Sequence, residues 1–280
     1  MRVVQVSGWE DFVEKTDALT GWAFRGEVSA QWPLMTAIAR RLAAYCPDPV
    51  LWPLRESRAL RVFRRKAHNY LTDSSGLSDD LRSLALMQHH GAPTRLLDFT
   101  KSPYVAAFFA LENTQGDSAV YGLNTPRLWS AAPMFDRSLT RETIDPRLQG
   151  NYERFFLKNT YPVVWVGEPL EMDRRLVSQS GLFVMPGQIQ KTLGELLESY
   201  EQGEDMLVKY VLPFSLRSQA MQSLYRMNIT YATLFPDLEG LASSSGYELE
   251  VVWESLVQEY LLTEHGQDAG SLPPLVRKEL

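Results

Sequence analysis

The chain has 280 residues, 45% of them hydrophobic and 22% charged, the make-up of an ordinary globular protein rather than a disordered or fibrous one. Its formal net charge of −6 argues against a broadly basic nucleic-acid-binding surface and leaves room only for a local basic groove. Cys46 is the single cysteine, which excludes an internal disulfide and suits a reducing cytoplasm; no apolar run approaches the ~20 residues of a membrane helix, and the first residues lack the apolar core of a signal peptide.

In chain order, residues 9–19 have helical spacing, with Trp9, Phe12 and Val13 on one face. Residues 22–27 read as a strand that stops at Gly26. Arg25 is the anomaly there: a long cation among aromatics at a strand end either reaches a phosphate or carboxylate in a pocket, or packs its stem while its head stays in water. A helix is expected around 36–44, carrying Arg40 and Arg41. After Pro47, Pro49 and Pro53 comes a long basic helix over 55–70, with Arg55, Arg58, Arg61, Arg64, Arg65 and Lys66. Such a run is ordinarily a solvated face, and otherwise an RNA or phosphate contact.

The densest signal is the stretch 87–103, Met-Gln-His-His-Gly-Ala-Pro-Thr-Arg-Leu-Leu-Asp-Phe-Thr-Lys-Ser-Pro. Loops that expose many polar groups from a rigid frame are where binding and chemistry concentrate. Ser78 reads as an N-cap, followed by Asp79 and Asp80 in the first turn and an apolar face of Leu81, Leu84, Ala85 and Met87. Gly91 fits the C′ position with Pro93 just beyond it, so His89 and His90 fall on the last helical turn. Residues 96–99 read as a short buried strand, and Ser102–Pro103 as the cap and first residue of the helix that follows. Arg95 and Asp98 suggest an ion pair fixing the corner. A metal centre is not expected: adjacent histidines on a helix diverge by about 100°, and no further His or Cys completes a shell.

Strands are expected over 118–123, 163–166, 181–185, 206–212 and 229–235, and helices over 193–200, 215–227 and from Pro236 onward. Residues 126–160 form a polar insertion with a helix at 152–158. Helices crowd the first half and strands recur in the second, so the fold class is α+β. The expectation is a single compact domain over 1–263, with a helical N-terminal part, a mixed or antiparallel sheet flanked by helices, and a tail at 264–280.

Three blocks resemble the FRG-domain family, named for the tripeptide seen here as Phe24-Arg25-Gly26. The others are residues 88–100 with Ala106 to Ala110, and Thr233-Leu234-Phe235-Pro236-Asp237-Leu238-Glu239-Gly240; Arg175, Gln179, Gly181 and Phe183 look like a further element. More distantly, a strand ending Arg-Gly, a strand ending in hydroxyl residues and an Ala/Phe-rich helix are similar to the layout of ADP-ribosyltransferases. That resemblance implies an ADP-ribosyltransferase-like core with Arg25 on dinucleotide phosphate. It sets Thr100-Lys101-Ser102 at their Ser-Thr-Ser strand end, with Lys101 departing from the pattern. Cleavage of the nicotinamide–ribose bond builds positive charge on the ribose, so a carboxylate should stand near it. Glu239 and Asp98 rank first for that role, Gln179 next, and Glu248 and Glu250 last, since apolar spacing around them indicates a helix.

The resulting expectation is an NAD-using transferase or NAD-degrading enzyme, with NAD as substrate and an unidentified macromolecular acceptor, an activity that by analogy suits a toxin or phage-defence effector. Arg25, Asp98 and Glu239 are its catalytic candidates. Arg25, Gly26, Gln88, His89, Thr94, Arg95, Thr100, Ser102 and Gln179 are its nucleotide-binding candidates. Two alternatives are a non-enzymatic nucleotide- or RNA-binding module using the basic helix, and a metal-independent ribonuclease using His89 or His90 as base. All three require Arg25 and the histidine-rich corner to share one cavity.

Overall fold

A computed structural model describes residues 1–249 and Trp253; Glu250 and the expected tail at 264–280 lie outside the described residues. The chain divides into two compact units, Met1–Arg217 and a second beginning at Ser218. None of the described helices is long and apolar enough to cross a membrane.

The first unit is α+β, as its pattern implied. In chain order it contains β1 (Arg2–Gln5), α1 (Trp9–Asp17), β2 (Ala23–Glu27), α2 (Ala37–Tyr45), α3 (Trp52–Ala67), α4 (Asp80–His89), β3 (Leu97–Thr100) and α5 (Pro103–Leu111). Then follow β4 (Ser118–Leu123), α6 (Thr125–Ser130), β5 (Val164–Gly167), α7 (Arg174–Ser178), β6 (Gly181–Pro186), α8 (Leu193–Leu197) and β7 (Leu207–Leu212). The seven strands form one sheet in the order β1-β7-β4-β2-β3-β6-β5, antiparallel except for the β1–β7 edge pair. The sheet is therefore mixed.

Its register is uneven in a way that matters. β2 pairs with β4 through five consecutive residues and β3 with β6 through four, whereas β2 and β3 are in register only at Phe24 opposite Thr100. The middle of the sheet is a seam. α5 packs on β2, and Gly26 permits it: a Cβ there would meet the Ala106 carbonyl oxygen at 2.1 Å and the Ala110 nitrogen at 2.6 Å. Among the described residues, three apolar clusters join these elements. One joins Leu97, Phe99, Tyr121 and Val184 to α8. Another packs Trp165 and Met185 against α3, α4 and the π-helical turn Tyr152–Leu157. The third lies under α2 and Trp52.

Local chemistry explains most boundaries. Thr36 caps α2 through the Ala39 amide, Pro53 is tolerated in the first turn of α3, and Ser102 caps α5 through the Val105 amide at 3.3 Å. Gly91 follows α4 with φ +77°, the left-handed geometry a helix C-terminus favours. The cap of α4 is Asp79, whose carboxylate accepts from Arg82 N at 2.8 Å, rather than the expected Ser78. β1 and α7 carried no recognised signal.

The second unit, as described, contains α9 (Arg217–Arg226), which runs into it from its first residue, α10 (Tyr231–Leu234) and α11 (Leu238–Tyr247). Here the expected strand over 229–235 is overturned. Thr230 and Thr233 make a reciprocal capping box that nucleates α10, so β-branched residues that look strand-forming act instead as helix-start groups. Asp237 then caps α11 through Gly240 N at 2.8 Å.

Candidate functional site

The seam between β2 and β3 opens a cavity of about 220 Å³ lined by Arg25 and Gly26 from β2, Asp98, Phe99 and Thr100 from β3, and Ala106 and Phe109 from α5. Arg175 and Gln179, from the α7 segment, complete the wall. Two further cavities adjoin it. A small one shares Asp98, Arg175 and Gln179 and adds Gln88, His89 and Asp173. A larger, open one of about 540 Å³ shares Arg25 and Asp98 and runs along α2. Asp98 lines all three: Arg25 shares the larger one with Gln88, Gly91 and Pro93 of the corner, whereas His89 lines only the small one, without Arg25, and His90 lines none of them.

Arg25 is gripped on two sides. Its Nε donates to Glu27 Oε1 at 2.9 Å, and its Nη1 donates to the Asp98 carbonyl at 2.8 Å and lies 4.0 Å from the Asp98 carboxylate. Nη2 has no acceptor among the described residues. Glu27 is buried, and Arg40 reaches the same carboxylate oxygen at 3.7 Å. On β4, Tyr121 pairs with Arg25 across the sheet; burial, reinforced by Glu27, pushes its hydroxyl up to about 12. Asp98 itself is half in water, its side chain 54% exposed.

The other sequence-derived candidates divide by what their side chains already do. Thr100 Oγ1 donates to the Gln179 carbonyl at 2.7 Å and accepts from Ser102 N at 3.0 Å, so it stitches the cavity wall while lining it. Gln88 lines both flanking cavities, and its amide oxygen accepts from the Thr94 hydroxyl. Thr94 is buried, accepts from Leu96 N at 3.1 Å and lines none of the described cavities. Ser102 is occupied as the α5 cap. His89 faces Asp173, Nδ1 to Oδ2 at 3.3 Å, and stacks edge-on with His90 at 4.9 Å. Lys101 pairs outward with Glu168. Glu239 is exposed on the first turn of α11 in the second unit, and Glu248 accepts from the Tyr225 hydroxyl at 2.8 Å there.

Arg95 requires a correction. Its side chain is fully buried and pairs not with Asp98 but with Glu56 of α3: Nε to Oε1 at 2.6 Å, and a second, shorter contact from Nη2 to Oε2. Nη1 donates to the Pro186 carbonyl at 3.0 Å, the guanidinium lies over the Tyr152 ring, and the Tyr152 hydroxyl donates to Glu56 at 3.2 Å. Burial alone would lower the Arg95 pKa, but Glu56 and Tyr152 outweigh it and the net direction is up. Held by three hydrogen bonds and the Tyr152 ring, with its side chain fully buried, Arg95 lines none of the described cavities. Sequence reasoning missed Glu56 because it sits among surface cations; the one signal was an acid at the position where α3 turns inward, four residues before buried Leu60.

The fold and its split seam define an α+β domain with a polar, arginine-bearing cleft. Residues 20–119 match the family model described as FRG domain, and the chain carries an FRG domain there. That stretch runs from the approach to β2 into β4 and supplies Arg25, Gly26, Asp98 and Thr100, whereas Arg175, Gln179 and the block at 233–240 lie beyond it. No curated protein and no solved structure matches the chain.

Proposed function

We propose that this protein acts on NAD as an ADP-ribosyltransferase or NAD-degrading enzyme, with the seam cavity as its nucleotide site. The observation that carries this reading is the convergence of Arg25, Asp98, Thr100 and Gln179 on one cavity although they are far apart in sequence. Arg25 binds a phosphate oxygen through its uncommitted Nη2, a charge-assisted contact that arginine geometry favours. As the C–N bond to nicotinamide breaks, its electron pair leaves with the base and positive charge grows on the ribose. The Asp98 carboxylate faces that charge and stabilises it. Water or a nucleophilic group of the acceptor then forms the new bond to the ribose. An effector role, as a toxin or in phage defence, would follow from NAD depletion or target modification.

The test is release of nicotinamide from NAD by the purified chain. Arg25→Ala should raise KM at least tenfold, and Asp98→Asn should lower kcat by about 10²-fold, the loss typical of removing one electrostatic stabiliser. Glu239→Gln, assayed in parallel, decides which carboxylate serves. Absence of nicotinamide release from the wild-type chain, with and without cell-extract acceptors, refutes the proposal.

One observation favours a second reading. On α3 the side chains of Arg55, Arg58, Arg61, Arg65 and Lys66 are exposed and have no ion-pair or hydrogen-bond partner among the described residues, whereas Arg64 pairs with Asp80. An RNA-binding role for this ridge predicts affinity that falls steeply with salt and weakens on charge reversal at Arg61 and Arg65. No binding at low salt removes it.

A further inference from the structure

The larger cavity beside the seam is lined along α2 by Arg40, Arg41 and Tyr45, and it shares Arg25 and Asp98 with the seam cavity. Three guanidinium groups therefore border one open space, and Asp98 is the carboxylate that lines it with them. Two of the three are arranged around a single counter-charge. The buried Glu27 holds Arg25 at 2.9 Å and Arg40 only at 3.7 Å, so one carboxylate stands against two cations. Arg40 is incompletely satisfied: its Nη1 is shielded from solvent and has no hydrogen-bond partner among the described residues, and its guanidinium lies 5.9 Å from the Trp32 ring centroid. The Arg40 side chain is 34% exposed and lines the open cavity while Glu27 holds it only at 3.7 Å, so it keeps donor capacity for an anion there, and a phosphate oxygen is an acceptor it matches. Arg41 lies over the Tyr45 ring one turn on, and both side chains line the same open cavity as Arg40.

We infer that the α2 face is a second phosphate subsite, with Arg40 and Arg41 taking a phosphate adjacent to the one held by Arg25. The ligand class is then a diphosphate-bridged nucleotide, not a monophosphate. The inference rests on the seam cavity being the ligand site proposed above, and it names the chemistry that site accepts.

Inorganic pyrophosphate and inorganic phosphate, titrated calorimetrically into the full chain at low salt, test it. Wild type should bind pyrophosphate at least tenfold more tightly than phosphate. Arg40→Gln combined with Arg41→Gln should shrink that ratio below threefold. Arg58→Gln combined with Arg61→Gln, the same charge change on α3, should leave it intact. Arg41→Gln alone is a surface change that does not threaten folding, and it should weaken pyrophosphate at least threefold with phosphate unaffected. Equal affinities in wild type, or the same response from the α2 and α3 variants, overturns the subsite. NAD turnover by the same proteins separates the two proposals. Subsite-dependent pyrophosphate binding without NAD cleavage sinks the enzyme reading alone. NAD cleavage with KM unchanged in the α2 double variant sinks the subsite alone.

Discussion

Removing the Arg95 guanidinium tests whether that residue is scaffold or ligand contact. In Arg95→Met, Glu56 is left at 2% exposure without its bidentate partner, and the Pro186 carbonyl loses its donor. Breaking one side of a buried ion pair typically costs about 3–5 kcal/mol, and for a unit of this size each kcal/mol is worth roughly 2–4 °C in Tm. The single variant should therefore melt roughly 6–20 °C below wild type. Replacing both partners, Glu56→Leu with Arg95→Met, removes the stranded charge along with the pair. Buried pairs exchanged for apolar residues are often neutral or better, so the double variant should recover most of the loss. The assay is urea unfolding of wild type, both single variants and the double variant, giving the coupling energy directly. In the recovered double variant, nicotinamide release should match wild type. A single-variant cost below about 1 kcal/mol, or a stable double variant that no longer binds nucleotide, would refute the assignment of Arg95 to the framework.

Gly26→Ala should destabilise the first unit by about 1–3 kcal/mol or more, read by thermal melting, because the new methyl meets the backbone of α5 rather than a side chain that can swing away. Glu112, at the end of α5, is pushed up to about 7 by burial, with Asn113 and Arg217 pulling the other way. A carboxyl whose pKa is higher folded than unfolded supports the fold most fully below the unfolded value and loses that support as pH rises through the folded one. Stability should thus decline between pH 4.5 and about 7. Glu112→Gln, measured by urea titration at pH 5 and 8, should flatten that decline and gain about 1–2 kcal/mol at pH 8, a full 1.36 kcal/mol per pH unit being discounted for partial solvation. A variant with the wild-type pH profile contradicts this.

What could be read from the chain alone was whatever local chemistry governs. Ser102 with Pro103, Gly91 in its left-handed turn and the apolar run of β4 announce themselves within a few residues. The contacts that assign roles are long-range: Arg95 and Glu56 lie 39 positions apart, Arg25 and the Asp98 carbonyl 73. No window of sequence holds both partners, so the corner's arginine looked available and its neighbour Asp98 looked like its mate. The misread strand at 229–235 has a different cause. Thr230 and Thr233 satisfy the strand preference of β-branched residues and the cap preference of hydroxyls at once, and only the reciprocal hydrogen bonds decide between them.

Arg25 closes a gap in the sheet with its side chain: where β2 and β3 fall out of register, its Nη1 meets the carbonyl that a strand neighbour would otherwise meet. A free arginine gives up about 1.5–2 kcal/mol of rotamer entropy when it is fixed. Here folding has already immobilised the group, and Nη2 has no acceptor among the described residues, so an incoming anion need not freeze it. At 1.4 kcal/mol per factor of ten, that advance rigidity is worth roughly an order of magnitude in affinity.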